Sequence, residues 1–355
     1  ILKLKKEKEF KFLRKIYIFI LKIIFFFING NFHFSGRKEN FLIKKKKFGE
    51  KKYKIFTIDN GSIYLDTSEG RYFYIKENLI LKNFSKDTKK LKKNTNIIKF
   101  GITKFLKKKN FNVISIVSGR DSSNNYYHWL IDVLPRLLIL EDFFRKYKFK
   151  HLLVPNYKKN YQIESLNCFF EKKNINFINL YRNKYLQFKS ITFSSDESSF
   201  EFYNFKLLKK LKEKILSHIR KKKIFIRSNF KKIYVNRTDA NINKDRYLSN
   251  ENELILELKK KGFKSIRLSD YSFFQQALIF NNAKSIIGLH GAGLSNILFA
   301  KKNTNVIELT NYQWPNLYQK LSKCLNLNYK KILCDKIDKR SNVVVCSIKT
   351  ILSKI

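Results

Sequence analysis

Methionine is absent from the 355 residues, proline occurs three times, alanine five times and glycine eleven times, while lysine, asparagine, isoleucine and phenylalanine abound. That is the pattern expected when codons strongly favour A and T. The four cysteines, Cys168, Cys324, Cys334 and Cys346, form no CxxC pair and have no histidine at metal-ligand spacing. This argues against a structural zinc or a disulfide scaffold and points to a reducing compartment. Acidic residues are also scarce, 28 against 75 Lys plus Arg, for a net charge of +47. Codon bias accounts for part of that charge, yet such a surface attracts polyanions, sugar nucleotides and anionic headgroups whatever its origin. A disordered basic tail is excluded by the 44% hydrophobic and 15% aromatic content. At roughly 100 to 200 residues per domain, the length suggests two domains and excludes a single-core miniprotein. The first residue is Ile1, so a truncated chain or an unusual start codon is expected.

Motifs are missing too. There is no GxGxxG, no GK[ST] of a P-loop, no GxSxG, no internal repeat and no recognisable nucleic-acid-binding motif. The lysines are spread along the chain rather than gathered on one element.

Residues 1–15 are lysine-rich, and the thirteen residues Ile16 to Ile28 form an apolar run broken only by Lys22. A bilayer-spanning helix needs about 20 apolar residues, so the run is short. Three readings stay open: a membrane-surface or short anchoring helix, a buried helix of the fold, and a signal or true anchor, the last weakened by the lack of a small-x-small cleavage site. From Asn31 to about Asn110 the pattern is short alternating strands such as Tyr53 to Ile58 and Ser62 to Leu65, with turn pairs such as Asn60-Gly61 between them. The lysine runs 44–47 and 107–109 read as solvated loops. A strand over Phe111 to Val117 then leads through GRDSSNN into a helix over Tyr126 to Tyr147, followed by alternating strands and helices to residue 220. Beyond a basic junction at Arg220 to Lys223, strands at 232–236, 263–268, 284–289, 305–309 and 329–334 alternate with helices, the pattern of a doubly wound α/β domain. The expected division is 1–30, 31–221 and 222–355.

Against a background poor in glycine, alanine, histidine and tryptophan, their clusters stand out. In Asn125-Tyr-Tyr-His128-Trp-Leu-Ile-Asp132-Val-Leu-Pro135-Arg136, His128, Asp132 and Arg136 are spaced i, i+4, i+8 and share one helix face. Either Asp132 and Arg136 form a plain intrahelical ion pair, or Asp132 orients an imidazole that acts as a general base. Pro135 should stop or bend this helix. In Gly288-Leu-His290-Gly291-Ala292-Gly293-Leu-Ser295-Asn296 a strand runs into a glycine turn and a helix start, which suits a diphosphate. The alternative is a tight turn with His290 as a hydrogen-bonded loop residue. Glu308, in Val306-Ile-Glu-Leu, sits beside that loop, either to accept ribose hydroxyls or as a solvated strand-end carboxylate. Arg237 ends the strand Ile233-Tyr-Val-Asn-Arg on the side where open α/β sheets bind ligands, and Arg246 with Asn250-Glu251 follows.

In this order the elements resemble glycosyltransferase family 61, whose members include capsular-polysaccharide, plant xylan-decorating and protein O-glycosylating enzymes. The motifs that carry the resemblance are Tyr126 to Leu137, IYVNR at 233–237, RYLSNE at 246–251, GF at 262–263, the run 273–299 and VIEL at 306–309. It spans Val113 to Leu309 and is silent on the first ~100 and last ~40 residues. The resemblance implies an α/β fold of GT-B type, with two Rossmann-like domains facing a cleft, 31–221 on the acceptor side and 222–355 binding the nucleotide sugar. It also implies inverting transfer from a nucleotide sugar, usually UDP-linked, without an essential metal or other cofactor, in keeping with the absence of a DxD pair after a strand. The acceptor would be a glycan, lipid-linked or protein hydroxyl, in polysaccharide or cell-surface glycan assembly. His128 or Asp132 would be the base, the choice leaning to His128 oriented by Asp132. Arg237, Arg246, His290, Gly291, Ala292, Gly293 and Glu308 would bind the donor, with Arg136 and Asn296 as further candidates. The protein is expected on the cytoplasmic side of a membrane, peripheral or anchored. The competing readings are a basic nucleic-acid- or membrane-binding protein and a transferase fold without turnover.

Overall fold

The computed structural model describes residues 33–34, 42–48, 50–66, 71–76, 79–80, 108–118, 124–146, 149–171, 174–180, 185–194, 203–227, 230–238, 246–337 and 342–355. The N-terminal segment 1–30 and most of the GRDSSNN turn lie outside them.

The fold is mixed α/β, with a large sheet in each half. In the first sheet, β1 (His33–Phe34), β2 (Leu42–Phe48), β3 (Lys51–Asp59), β4 (Gly61–Asp66), β5 (Arg71–Lys76) and β6 (Leu79–Ile80) join β7 (Lys108–Ser115), β8 (His151–Val154), β9 (Asn176–Asn179) and β10 (Tyr185–Ser194). Strands β10, β7, β8 and β9 run parallel, and β3 and β4 pair antiparallel with β10. The second sheet holds β11 (Lys232–Val235), β13 (Lys264–Ile266), β14 (Ser285–Leu289), β15 (Asn305–Thr310) and β16 (Asn328–Leu333) in the order β13-β11-β14-β15-β16, all parallel. A small third sheet pairs β12 (Tyr247–Leu248) and β17 (Asp335–Lys336) with β18 (Val343–Val345).

Helices fill the space between the two large sheets and also cover the far face of the second. They are α1 (Tyr126–His128), α2 (Leu134–Ile139), α3 (Glu141–Lys146), α4 (Asn160–Phe170), α5 (Phe205–Lys221), α6 (Glu251–Lys260), α7 (Phe273–Asn282), α8 (Leu317–Leu325) and α9 (Ile348–Leu352). Because strand side chains alternate in direction, Ile233, Val235, Ile286 and Val306 face one core while Tyr234, Ile287 and Ile307 face another. The first of these cores also takes Ile114, Ile116, Leu152 and Val154 from the first sheet and the apolar faces of α2, α4, α5 and α7. One hydrophobic layer therefore serves both sheets. Helix α7 starts at a Ser272/Gln275 capping box, and Glu164 of α4 reaches across to accept the Phe273 N–H at 2.7 Å. Burial raises the Glu164 carboxyl above its usual range, opposed by the two backbone N–H groups it accepts.

Three expectations are corrected. The lysines at 44–47 lie in β2, and Lys108 and Lys109 open β7, rather than in loops. Among the described residues strand β2 pairs with β3 alone, and lysines are common on such an edge. Lys46 even turns inward, donating to the Leu138 carbonyl and pairing with Asp142, both at 3.0 Å. Asn60-Gly61 makes no hairpin: β3 and β4 continue along β10 in one register, and Asn60 at φ 50 donates to the Lys189 carbonyl. Finally, Cys334 and Cys346 form a disulfide, Cα to Cα 4.5 Å. The pairing of Asp335 with Val345 sets these two cysteines opposite each other, a long-range register that cysteine spacing could not reveal. Among the described residues no helix is long and apolar enough to cross a membrane.

Glu164→Ala should lower stability by about 1 kcal/mol, because it strips a cap from α7; urea unfolding checks this as a lower midpoint with an unchanged slope.

Candidate functional site

In the second sheet the chain places β13 on one side of β11, then returns to build β14, β15 and β16 on the other. After β11 it leaves toward the core that holds Leu254 and Leu258, and after β14 toward the core that holds Leu294 and Ile297. The carboxyl ends of β11 and β14 therefore part, and open α/β sheets bind ligands at such a point. A cavity of about 330 Å³ lies there, lined by Val235, Asn236, Arg237, Gly291, Ala292 and Gly293 among others, with Tyr126 and Tyr161 contributed by the first half.

Residues Ala292–Phe299 form a 3₁₀ helix after the glycine turn. Space, not left-handed backbone, explains the glycines: Gly291 is extended at φ 179. A Cβ on Gly291 would collide with Arg237 Nη1, one on Gly293 would stand 2.6 Å from Leu268 Cδ1, and one on Gly288 would stand 2.8 Å from Leu294 Cδ1. Gly291 thus lets the Arg237 side chain lie against the turn. Among the described residues that guanidinium has no acceptor; only the Arg237 backbone N–H is engaged, by Glu251 Oε1 at 2.9 Å. Glu251 also accepts from Tyr234 at 2.7 Å. A half-buried, uncommitted guanidinium facing a cavity is suited to an anion.

His290 is buried at the end of β14, and its Nδ1 bonds Glu308 Oε1. Tyr329 donates to the other Glu308 oxygen, so both oxygens are held inside the protein rather than offered to a diol. Tyr318 donates to the Gly291 carbonyl from behind the turn. Burial, then the neighbouring Glu308, raises the hydroxyls of Tyr318 and Tyr329, so both stay protonated donors. Arg246 lies 4.9 Å over the Trp314 ring, whose other neighbour is His290 at 5.7 Å.

The first half supplies a second histidine–carboxylate pair. Asn125 caps α1 by accepting the Tyr127 N–H at 2.9 Å, and His128 Nδ1 meets Asp132 Oδ2 at 2.6 Å. The turn Trp129–Val133 is π-helical, with Leu134 N–H bonded to the Trp129 carbonyl. Pro135 does not end the helix, which continues through α2. A proline ring crowds the carbonyl four residues back, and the widened turn before it gives the room. Arg136 is buried and spans elements: it donates to the Asp132 carbonyl at 3.2 Å, to the Ser194 carbonyl at 3.2 Å and to Ser118 Oγ at 3.4 Å. It anchors this helix to the ends of the first sheet.

Aromatic rings connect the two pairs. His128 stands 5.2 Å from Tyr127, Tyr127 stands 6.1 Å from Tyr318, and Tyr318 stands 5.1 Å from His290, all edge-on. Tyr126 donates to Asn296 Oδ1 at 2.6 Å, while the Asn296 amide donates to Gln276 and to the Gly293 carbonyl. Asn296 is thus a strut between the helix of the first half and the glycine turn of the second. The structure brings His128, Asp132, His290, Glu308 and the glycine turn into one connected region, with Arg237 and Arg246 flanking His290 on separate elements. Sequence reasoning missed Tyr161, Gln276, Tyr318 and Tyr329, because tyrosine and glutamine at such spacing carry no signal until the fold assembles them. Burial pushes the Tyr161 hydroxyl up to about 12.

A family model described as Glycosyltransferase 61 matches residues 126–307, from the first residue of α1 to the middle of β15. Similar curated proteins include the EGF domain-specific O-linked N-acetylglucosamine transferases of Drosophila melanogaster, 32% identical over 90 residues, and of Gallus gallus and Rattus norvegicus, 33% and 34% identical over 89 residues. Each alignment takes in 24% of this chain and only 17% of the relative.

Gly291→Ala should displace the Arg237 side chain at little cost in stability, since its far end can swing away. Isothermal titration with pyrophosphate should then show affinity weakened about tenfold, as when one charge-assisted contact of ~1.5 kcal/mol is lost, with the thermal midpoint nearly unchanged.

Proposed function

The chain belongs to the glycosyltransferase 61 family, a premise from which we propose that it moves a sugar from a nucleotide sugar, UDP-linked, to a hydroxyl acceptor on a glycan, a lipid-linked glycan or a protein, with inversion at the anomeric carbon. The observation that carries this reading is the uncommitted Arg237 guanidinium facing the cavity at the strand-order reversal. A diphosphate seated there would meet Arg237 on one side and the backbone N–H groups of the glycine turn on the other. In this reading the two halves form a GT-B pair, with the donor in 222–355 and the acceptor approached from 31–221.

The carboxylate at His128 Nδ1 favours the tautomer with that nitrogen protonated, which makes Nε2 the basic nitrogen of the ring. We assign His128 as the base and Asp132 as its orienting partner. The acceptor oxygen would attack the anomeric carbon from the face opposite the diphosphate while its proton passes to Nε2. The carbon–oxygen bond to the phosphate breaks, and the charge left on the nucleoside diphosphate is met by Arg237 and by His290, held in place by Glu308. These cationic and N–H donors support a mechanism that needs no divalent cation. Assembly of polysaccharide or other cell-surface glycan is the process this chemistry serves.

A thermal-shift panel of UDP, GDP, CDP, ADP and dTDP at high salt, with and without manganese, tests the donor. UDP alone should stabilise, by about 2.7 kcal/mol at a hundredfold excess over Kd, whether or not manganese is present. An equal response to all five that vanishes with salt would mean that charge alone binds them. Asp132→Asn should leave UDP affinity within twofold of the parent while kcat falls about 10² or more; loss of UDP binding as well would make Asp132 a structural residue of the helix.

A further inference from the structure

The Cys334–Cys346 disulfide lies outside the matched segment and outside every candidate of the sequence reading, yet its backbone is hydrogen-bonded to Asn250, four residues after Arg246, and to Asn311, three residues after Glu308. On one side Asn250 holds the peptide of Cys346 twice, its Nδ2 donating to the Cys346 carbonyl at 2.8 Å and its Oδ1 accepting the Cys346 N–H at 3.3 Å. The next residue, Glu251, accepts the backbone N–H of Arg237 and the hydroxyl of Tyr234. On the other side Asn311 Nδ2 donates to the Cys334 carbonyl at 3.1 Å. Asn311 also sets the turn that follows, accepting the Gln313 N–H on its side chain at 3.0 Å and the Trp314 N–H on its carbonyl at 3.1 Å. That turn places Trp314 between His290 and Arg246.

We propose that the disulfide is a clamp that positions the donor site: it fixes Arg237 through Asn250 and Glu251, and His290 and Arg246 through Asn311 and Trp314. Both cysteines are buried, and the loops they join come from residues 250 and 311, far apart in sequence. The sheet that faces these loops is built from strands of only two or three residues, β12, β17 and β18, so the covalent link adds to a short backbone ladder in fixing their register. Cys334 and Cys346 are positioning residues, since neither would touch the substrate. The clamp works where disulfides persist, in an oxidising compartment.

The part of this inference that concerns UDP rests on the transferase reading, so the test has one readout that needs no ligand. The full chain carrying Trp129→Phe keeps Trp314 as its remaining tryptophan, which reports the turn directly. Treatment with a phosphine, which gives two electrons to the bond and becomes its oxide while water supplies the oxygen and the two protons, should release two thiols beyond Cys168 and Cys324 and shift Trp314 emission to the red, while far-UV circular dichroism stays the same. The Cys334→Ser/Cys346→Ser double variant should bind UDP about tenfold more weakly than the parent. Asn250→Ala should weaken UDP binding by itself but add little in the Cys-to-Ser background, because both act through the same link. Additive effects would leave a general loss of stability as the explanation and overturn the clamp. Four titratable thiols in the untreated denatured protein, or Trp314 emission and UDP affinity both unchanged on reduction, would overturn it as well. Failure of the oxidised parent to bind UDP, with the Trp314 shift intact, would instead sink the donor assignment and leave the clamp standing.

Discussion

Crossovers between parallel strands are right-handed, and that constraint shapes the second half of this molecule. A chain that adds a strand to the left of its first strand and then returns to build rightward must send successive connections to opposite faces of the sheet. Between β11 and β14 no connection then fills the carboxyl edge. The cavity, the approach of Arg237 to Gly291, and the access of Tyr126 and Tyr161 from the first half are consequences of that parting.

Around this opening the protein repeats one chemical device. Two imidazoles, one from each half, have Nδ1 fixed by a carboxylate, and both carboxylates are buried. Fixing one nitrogen defines what the other can do, which is worth more in a dry interior than at a surface. The tyrosines between the two pairs keep their protons because they are buried, so they act as fixed donors and spacers. Asn296 and Glu164 add polar links between the halves where apolar packing alone would permit sliding.

Much of this was legible in the sequence. Strand and helix alternation beyond residue 230 follows from apolar runs punctuated by glycine and asparagine, and the structure reproduces it with shifts of a residue or two. The i, i+4 spacing of His128 and Asp132 and the cluster of glycines at 288–293 likewise announced themselves against a biased composition. The pairing of His290 with Glu308 was not readable, since it depends on which strands are neighbours and in what register. For the same reason the disulfide escaped notice and the lysines of β2 looked like loop: charge at a sheet edge and charge in a loop are the same letters. Glu308 was read either as an acceptor of ribose hydroxyls or as a solvated strand-end carboxylate, whereas it is buried and its strand position turns both oxygens toward His290 and Tyr329.

The hydrophobic layer between the sheets is held in common, with Ile114 and Leu152 from one side and Ile286 and Val306 from the other packed onto the same helices. Among the described residues, this cover is shared between the two sheets. The apolar helical surface of the first half is therefore covered only once the second half packs on it, so this core closes last.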